Sequence, residues 1–163
     1  MRFLGIDPGL RITGYGCVDA PDPLTLHLAE AGLFRLARSS PPPPIPDRLL
    51  ELDRDLGALI DRLKPDAVAV EAVFAHQRHP ATAIAMAHAR GVILLAVRRA
   101  GLPLIELRPA TVKRYLTAHG ASQKGQMQAA AAARLGLAEI PGPPDVADAL
   151  AIAMCAAQRA LRH

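Results

Sequence analysis

The chain has 163 residues, 51% of them hydrophobic, enough for a single domain spanning residues 1–163 that buries about two thirds of its unfolded surface. Its two cysteines, Cys17 and Cys155, lie far apart with no C-x-x-C or Cys/His cluster, which fits reduced core thiols better than a disulfide or a zinc site. The opening residues do not read as a secretory signal, and the longest apolar window, near Ala83 to Val97, is broken by His88 and Arg90, so we expect a soluble cytoplasmic protein with no membrane partner.

The first stretch predicts two strands joined by a tight turn. Phe3, Leu4 and Ile6 precede Pro8-Gly9, and Ile12, Tyr15, Cys17 and Val18 follow it. With a period of two, Asp7 shares a sheet face with Phe3 and Gly5, and the glycine leaves room for a neighbour. Either Asp7 opens the turn as an Asx cap, or it is protonated, paired with a base or bound to a metal, because a dehydrated carboxylate without a counter-charge is costly.

Leu24 to Leu36 alternates and predicts a third strand, completing an antiparallel meander. Pro41 to Pro46 reads as a linker or lid loop, since consecutive prolines stop both helix and central strand. From Asp47 to Leu63 apolar residues recur at spacings of three and four, predicting an amphipathic helix with solvated acids. Lys64-Pro65-Asp66 ends it, and Ala67 to Phe74 follows as a short buried strand interrupted by Glu71. Glu71 repeats the anomaly of Asp7: a carboxylate on a strand otherwise fit for the interior. Its alternative reading is a salt bridge to a core arginine.

Pro80 to Arg99 predicts a long helix, Leu102 to Leu107 a strand, and Pro109 the start of a short helix, so the pattern becomes βαβ. Ser122, or Ala121 beside it, opens a further helix through the alanines to Leu135, with Lys124 in a first turn whose free N–H groups also favour phosphate. The last helix starts after Pro143-Pro144 and carries Asp145 and Asp148 three residues apart, on one side of its first turns. A helix start explains Asp145 well and Asp148 poorly.

The net charge of +4 is unevenly spread. Between Phe74 and Arg134 nine basic side chains, Arg78 among them, face one acid, Glu106, so the rest of the chain is net acidic. Such a block is the pattern of a surface that meets phosphate, its bland alternative being a solvated arginine-rich helix. Phe74, beside the block, is placed to stack on a base. Asp7, Glu71, Asp145 and Asp148 come from three distant segments, and they are hard oxygen donors suited to Mg²⁺ or Mn²⁺. Two such ions on shared carboxylates, next to a basic surface, make phosphodiester hydrolysis the inferred chemistry.

At these residues a resemblance emerges. Gly5-Ile6-Asp7-Pro8-Gly9 with Arg11 and Thr13-Gly14-Tyr15-Gly16, then Glu71-Ala72-Val73-Phe74, Ala89-Arg90-Gly91 and Asp145-Val146-Ala147-Asp148-Ala149-Leu150, resemble in order the RuvC family of Holliday-junction resolvases. The resemblance implies an α/β RNase H-like fold with a five-stranded mixed sheet, antiparallel for its first three strands and flanked by helices. It implies a homodimer that nicks opposed strands of four-way junction DNA, two Mg²⁺ or Mn²⁺ ions at Asp7, Glu71, Asp145 and Asp148, and branch-migration partners of the RuvA and RuvB type. It also places Phe74, Lys113 and Lys124 at the DNA, with Arg78 in the neighbouring loop. Rival readings are a nuclease of RNA–DNA hybrids and a junction-binding module without catalysis.

Overall fold

The computed structural model describes residues 1–72, 80–117, 124–139 and 142–162. In chain order the elements are β1 (Arg2–Asp7), β2 (Ile12–Asp19), β3 (His27–Arg35), α1 (Ile45–Leu63), β4 (Ala67–Glu71), α2 (Pro80–Arg99), β5 (Leu104–Leu107), α3 (Pro109–Thr117), α4 (Lys124–Leu135) and α5 (Pro144–Leu161). Among the described residues the strands form one sheet in the order β3-β2-β1-β4-β5. The first three strands pair antiparallel, and β4 joins β1, and β5 joins β4, in parallel. This is the mixed sheet expected from the sequence.

Register follows from alternation. Phe3, Gly5 and Asp7 share one face with Ala67, Ala69 and Glu71 through the parallel pairing of β1 and β4, while Leu4, Ile6, Val68 and Val70 occupy the other. Each face carries its own core. On the first, α3, α4 and α5 close over Phe3, Val18, Ala67 and Ala69; on the second, α1 and α2 close over Leu4, Ile6, Val68 and Val70. Strands buried on both sides must be apolar throughout, which is why the inner strands β1 and β4 run almost without polar interruption before their final carboxylates.

The fit of α5 against β1 and β2 decides where the acids end up. A side chain at Gly5 would meet the Ala149 carbonyl oxygen at 2.3 Å, and one at Gly14 would meet the Asp145 carbonyl oxygen at 2.2 Å. The helix therefore lies directly on the strand backbone, and nearly all of it from Val146 to Ala157 is buried. Only a helix rich in alanine can approach this closely, so the Ala151, Ala153, Ala156 and Ala157 run is a packing surface rather than an accident of composition.

Some boundaries differ from the sequence reading. Helix α1 begins at Ile45, two residues earlier than expected, because Pro44 caps it in an extended conformation and Pro46 suits a first turn, where its missing N–H costs nothing. It ends at Lys64, which adopts a left-handed conformation and donates its N–H to the Ile60 carbonyl. Three of the α1 acids read as solvated are in surface ion pairs: Glu51 with Arg38, Asp53 with Arg99 and Asp55 with Arg54. Strand β3 starts at His27, and β5 at Leu104. Cys17 and Cys155 are buried free thiols, and burial pushes the Cys17 thiol up to about 12.

Helix α2 is long and apolar enough, by length and composition, to cross a membrane, with only 22% of that window buried. Its inner side, Ala89, Ile93, Ala96 and Val97, packs into the second core, which makes it a core helix with an uncovered face.

Candidate active site

Asp7 is the last residue of β1, and its rung partner Gly14 lies against the carbonyl of Asp145. Paired residues point to the same face, so Asp7 stands half-buried beside the first turn of α5. The loop that carries the chain from Asp7 to Ile12 is tied at successive residues. The Thr13 hydroxyl donates to the Gly9 carbonyl at 2.6 Å and accepts from the Gly9 N–H at 3.3 Å. Arg48 of α1 donates to the Leu10 carbonyl at 3.0 Å. The N–H groups of Leu36 and Ala37 donate to the Arg11 carbonyl.

Glu71 ends β4 two strand positions beyond Ala69, on the same face as Asp7. Burial is the main cause that raises its carboxyl above the ordinary range; the negative charge of Asp148 raises it further, and the ammonium of Lys113 on α3 works the other way. Those two influences place Asp148 and Lys113 in the electrostatic neighbourhood of Glu71. Asp145 and Asp148 are half-buried on the first turns of α5, where the helix dipole favours negative charge. The sequence-predicted acids are thus gathered at the carboxyl ends of the parallel strands β1 and β4, which is where open α/β sheets place their ligands.

Their chemistry suits a hard divalent cation: the donors are all carboxylate oxygens, and the burial and mutual repulsion that raise Glu71 are what a cation would relieve. Among the described residues, no three His, Cys, Asp or Glu side chains already converge as a metal-holding group. The backbone brings the acids to one end of the sheet.

Of the proposed DNA-binding residues, Lys113 is exposed on α3, on the acid side of the sheet. Lys124 opens α4, as its predicted place in a first turn requires, but its side chain, like Phe74 and Arg78, lies outside the described residues. Glu106, the one acid of the basic block, is taken up by an ion pair with Arg90 across α2 and β5. Sequence reasoning passed over Thr13 and Arg48. Thr13 could have been suspected, since a threonine inside an apolar strand needs a partner for its hydroxyl; nothing in the sequence marks Arg48.

The family model described as crossover junction endodeoxyribonuclease RuvC matches residues 3–156. The chain belongs to the RuvC family. As a member it is a crossover junction endodeoxyribonuclease, a hydrolase of DNA. Among its relatives, crossover junction endodeoxyribonuclease RuvC of Chloroflexus aggregans is 44% identical over 160 residues, covering 98% of this chain and 94% of that protein. The Rhodopirellula baltica enzyme of the same name is 43% identical over 153 residues, covering 94% of this chain and 84% of that one. Among solved structures, T. thermophilus RuvC in complex with Holliday junction substrate superimposes with a TM-score of 0.88 at 33% identity, covering 99% of this chain and 96% of the other. The yeast mitochondrial Holliday junction resolvase Ydc2, at 16% identity and a TM-score of 0.67, shares the fold. The sheet order and its flanking helices are therefore the RNase H-like fold of RuvC.

Proposed function

We propose that this RuvC-family chain resolves four-way DNA junctions by symmetric paired nicks, with Asp7, Glu71, Asp145 and Asp148 holding two Mg²⁺ or Mn²⁺ ions. The observation that carries the proposal is the gathering of the four acids at the carboxyl ends of β1 and β4, with Glu71 under the influence of both Asp148 and Lys113. Bound there, two divalent ions supply an activated water and stabilise the leaving oxygen of an in-line displacement. The chain's own residues do the rest. Glu71, whose carboxyl is raised by burial and by the charge of Asp148, would with Asp148 offer carboxylate oxygens to the cations. Asp7 and Asp145 are held by the direct seating of α5 on β2. Lys113 presents an ammonium on the open side of the acids, where a scissile phosphate would sit.

The substrate backbone is met by the basic block, with Lys124 at a helix N-terminus and Phe74 and Arg78 beside the site; this part rests on their places in the sequence. A homodimer is favoured by α2, whose exposed Ile84, Ala87, Gly91 and Leu95 follow one another at spacings of three and four and form a single stripe. Nothing lies within 4 Å of a side chain placed at Gly91, so a second helix can approach closely there. A two-fold pair would bring one set of acids to each of two opposed strands. A cytoplasmic location and partners of the RuvA and RuvB type complete the reading.

The test is incubation with a synthetic four-way junction, a linear duplex and an RNA–DNA hybrid, each with Mg²⁺, Mn²⁺ or EDTA. Paired nicks in the junction, only with metal, are expected. Preferential cutting of the hybrid would remove the resolvase reading, and binding without cutting would reduce the chain to a junction-binding module.

A further inference from the structure

We infer that Thr13 is a positioning residue for the reaction: its hydroxyl locks the loop that follows Asp7 and so sets where that carboxylate meets the metal. The inference rests on the reading of Asp7 as a metal ligand. Thr13 is fully buried, and it is the one polar or charged residue of the described chain that is. Its side chain lies on the α1 and α2 side of the sheet, because its neighbour Gly14 faces α5. The sheet therefore stands between Thr13 and the acids, so Thr13 acts on the site only through the backbone.

That backbone is short and crowded. A single hydroxyl satisfies both the N–H and the carbonyl of Gly9, two residues beyond Asp7. A side chain at Gly9 would lie 2.1 Å from the Ile12 carbonyl oxygen, so the loop is folded onto the start of β2 with no space to spare. Asp7–Gly14 is the last rung of the β1–β2 ladder. Beyond it, among the described residues, the backbone is tied at Gly9, Leu10 and Arg11, and of these three ties the one from Thr13 is the nearest in sequence to Asp7 and is drawn from the adjoining strand. Replacing the hydroxyl by a methyl group keeps the shape but leaves both Gly9 groups without a partner. The loop then opens to water, and Pro8 and the carboxylate of Asp7 shift with it.

The test uses the full chain and the variants Thr13→Val, Thr13→Ser and Asp7→Asn. Three quantities are measured: the Mn²⁺ concentration giving half of the metal-induced rise in Tm, junction affinity in EDTA, and single-turnover cutting of bound junction. Thr13→Val should raise the half-saturating Mn²⁺ concentration by about tenfold to a hundredfold, the usual cost of losing a group that orients a ligand. Its junction affinity should be unchanged, its cutting should recover in part at high Mn²⁺, and Thr13→Ser should restore the metal response. A Thr13→Val protein that melts earlier but keeps the wild-type Mn²⁺ midpoint overturns the inference, since Thr13 would then only support the fold. If that variant does not fold, Thr13→Cys, which keeps the side chain's size but hydrogen-bonds only weakly, takes its place; a raised midpoint supports the inference and an unchanged one overturns it. Asp7→Asn separates the two layers. If it keeps the full metal-induced rise, Asp7 is no ligand and both readings fall; if it loses the rise while Thr13→Val keeps it, only the inference fails.

Discussion

Gly14→Ala places one methyl group where the sheet and α5 meet, and the structure sets its consequences. The new carbon would lie 2.2 Å from the Asp145 carbonyl oxygen and 2.8 Å from its carbonyl carbon, whereas ordinary contact begins near 3.4 Å. Both obstacles are backbone, so no side chain can swing away, and strand and helix must part by about 1 Å at the first turn of α5. Overpacking of this kind costs about 1–3 kcal/mol. Replacing a strand glycine returns about 0.5–1 kcal/mol through the unfolded chain, so a net loss of about 0–2.5 kcal/mol, centred on about 1 kcal/mol, is expected. At this chain length each kcal/mol lost lowers Tm by about 2–4 °C. The effect on cutting is larger, because a shift of about 1 Å in the acids can cost on the order of a hundredfold in rate. Gly57→Ala is the control: it lies inside α1 with nothing within 4 Å, and it should stabilise the protein by about 0.5–1 kcal/mol without touching activity. Thermal melts and single-turnover cutting of a four-way junction measure both. Full cutting by a Gly14→Ala protein that shows the expected loss of Tm would refute the idea that the seating of α5 on β2 positions the acids.

Glu71→Gln should bind the junction in EDTA as the wild type does and fail to cut it; undiminished cutting would remove Glu71 from the site. The same variant has a pH signature in the metal-free protein. Because burial and Asp148 raise the native carboxyl above its ordinary 4.5, the native state holds that proton more tightly than the unfolded chain does. Wild-type stability therefore falls as pH rises from about 4.5 through the raised native value and levels off above it, so melts in EDTA should show Glu71→Gln gaining on the wild type across that window and matching it at lower pH. Lys124→Ala should weaken junction binding and reduce the slope of log affinity against log salt by about one phosphate contact, and an unchanged slope would mean that Lys124 does not touch the backbone. Leu95→Glu puts a charge on the exposed stripe of α2 and should yield a monomer by sedimentation, while a dimer of unaltered mass would place the interface elsewhere.

Much of the fold is legible in the sequence because each strand is marked by apolar runs and each helix by spacing. The break between the first two strands at Pro8-Gly9, though a loop from Pro8 to Arg11 rather than a tight turn, the amphipathic run of Leu49 to Leu63 and the apolar stretch around Val68 each need only local chemistry to be read. Boundaries are less legible where two rules compete. Pro44 and Pro46 read as a barrier, yet one caps α1 and the other occupies its first turn, since a proline stops a helix only in its interior. The acids of α1 read as solvated for a similar reason: Asp53 meets Arg99 only once α1 and α2 lie side by side.

By itself the sequence singled out the groups proposed to do the chemistry. Asp7 and Glu71 stand out because a carboxylate in an apolar strand has no local justification, and Asp148 because the start of a helix accounts for Asp145 and not for it. What only the tertiary structure decided is their meeting. Asp7 and Asp145 come to the same end of the sheet because Gly5 and Gly14 have no side chain to keep α5 off it, and Glu71 comes under the influence of Asp148 because β4 pairs in parallel with β1 and brings the two strand ends level. The brace from Thr13 to Gly9 belongs to the same class: the hydroxyl is visible in the sequence, but the two groups that satisfy it are set by how the loop folds back on the sheet.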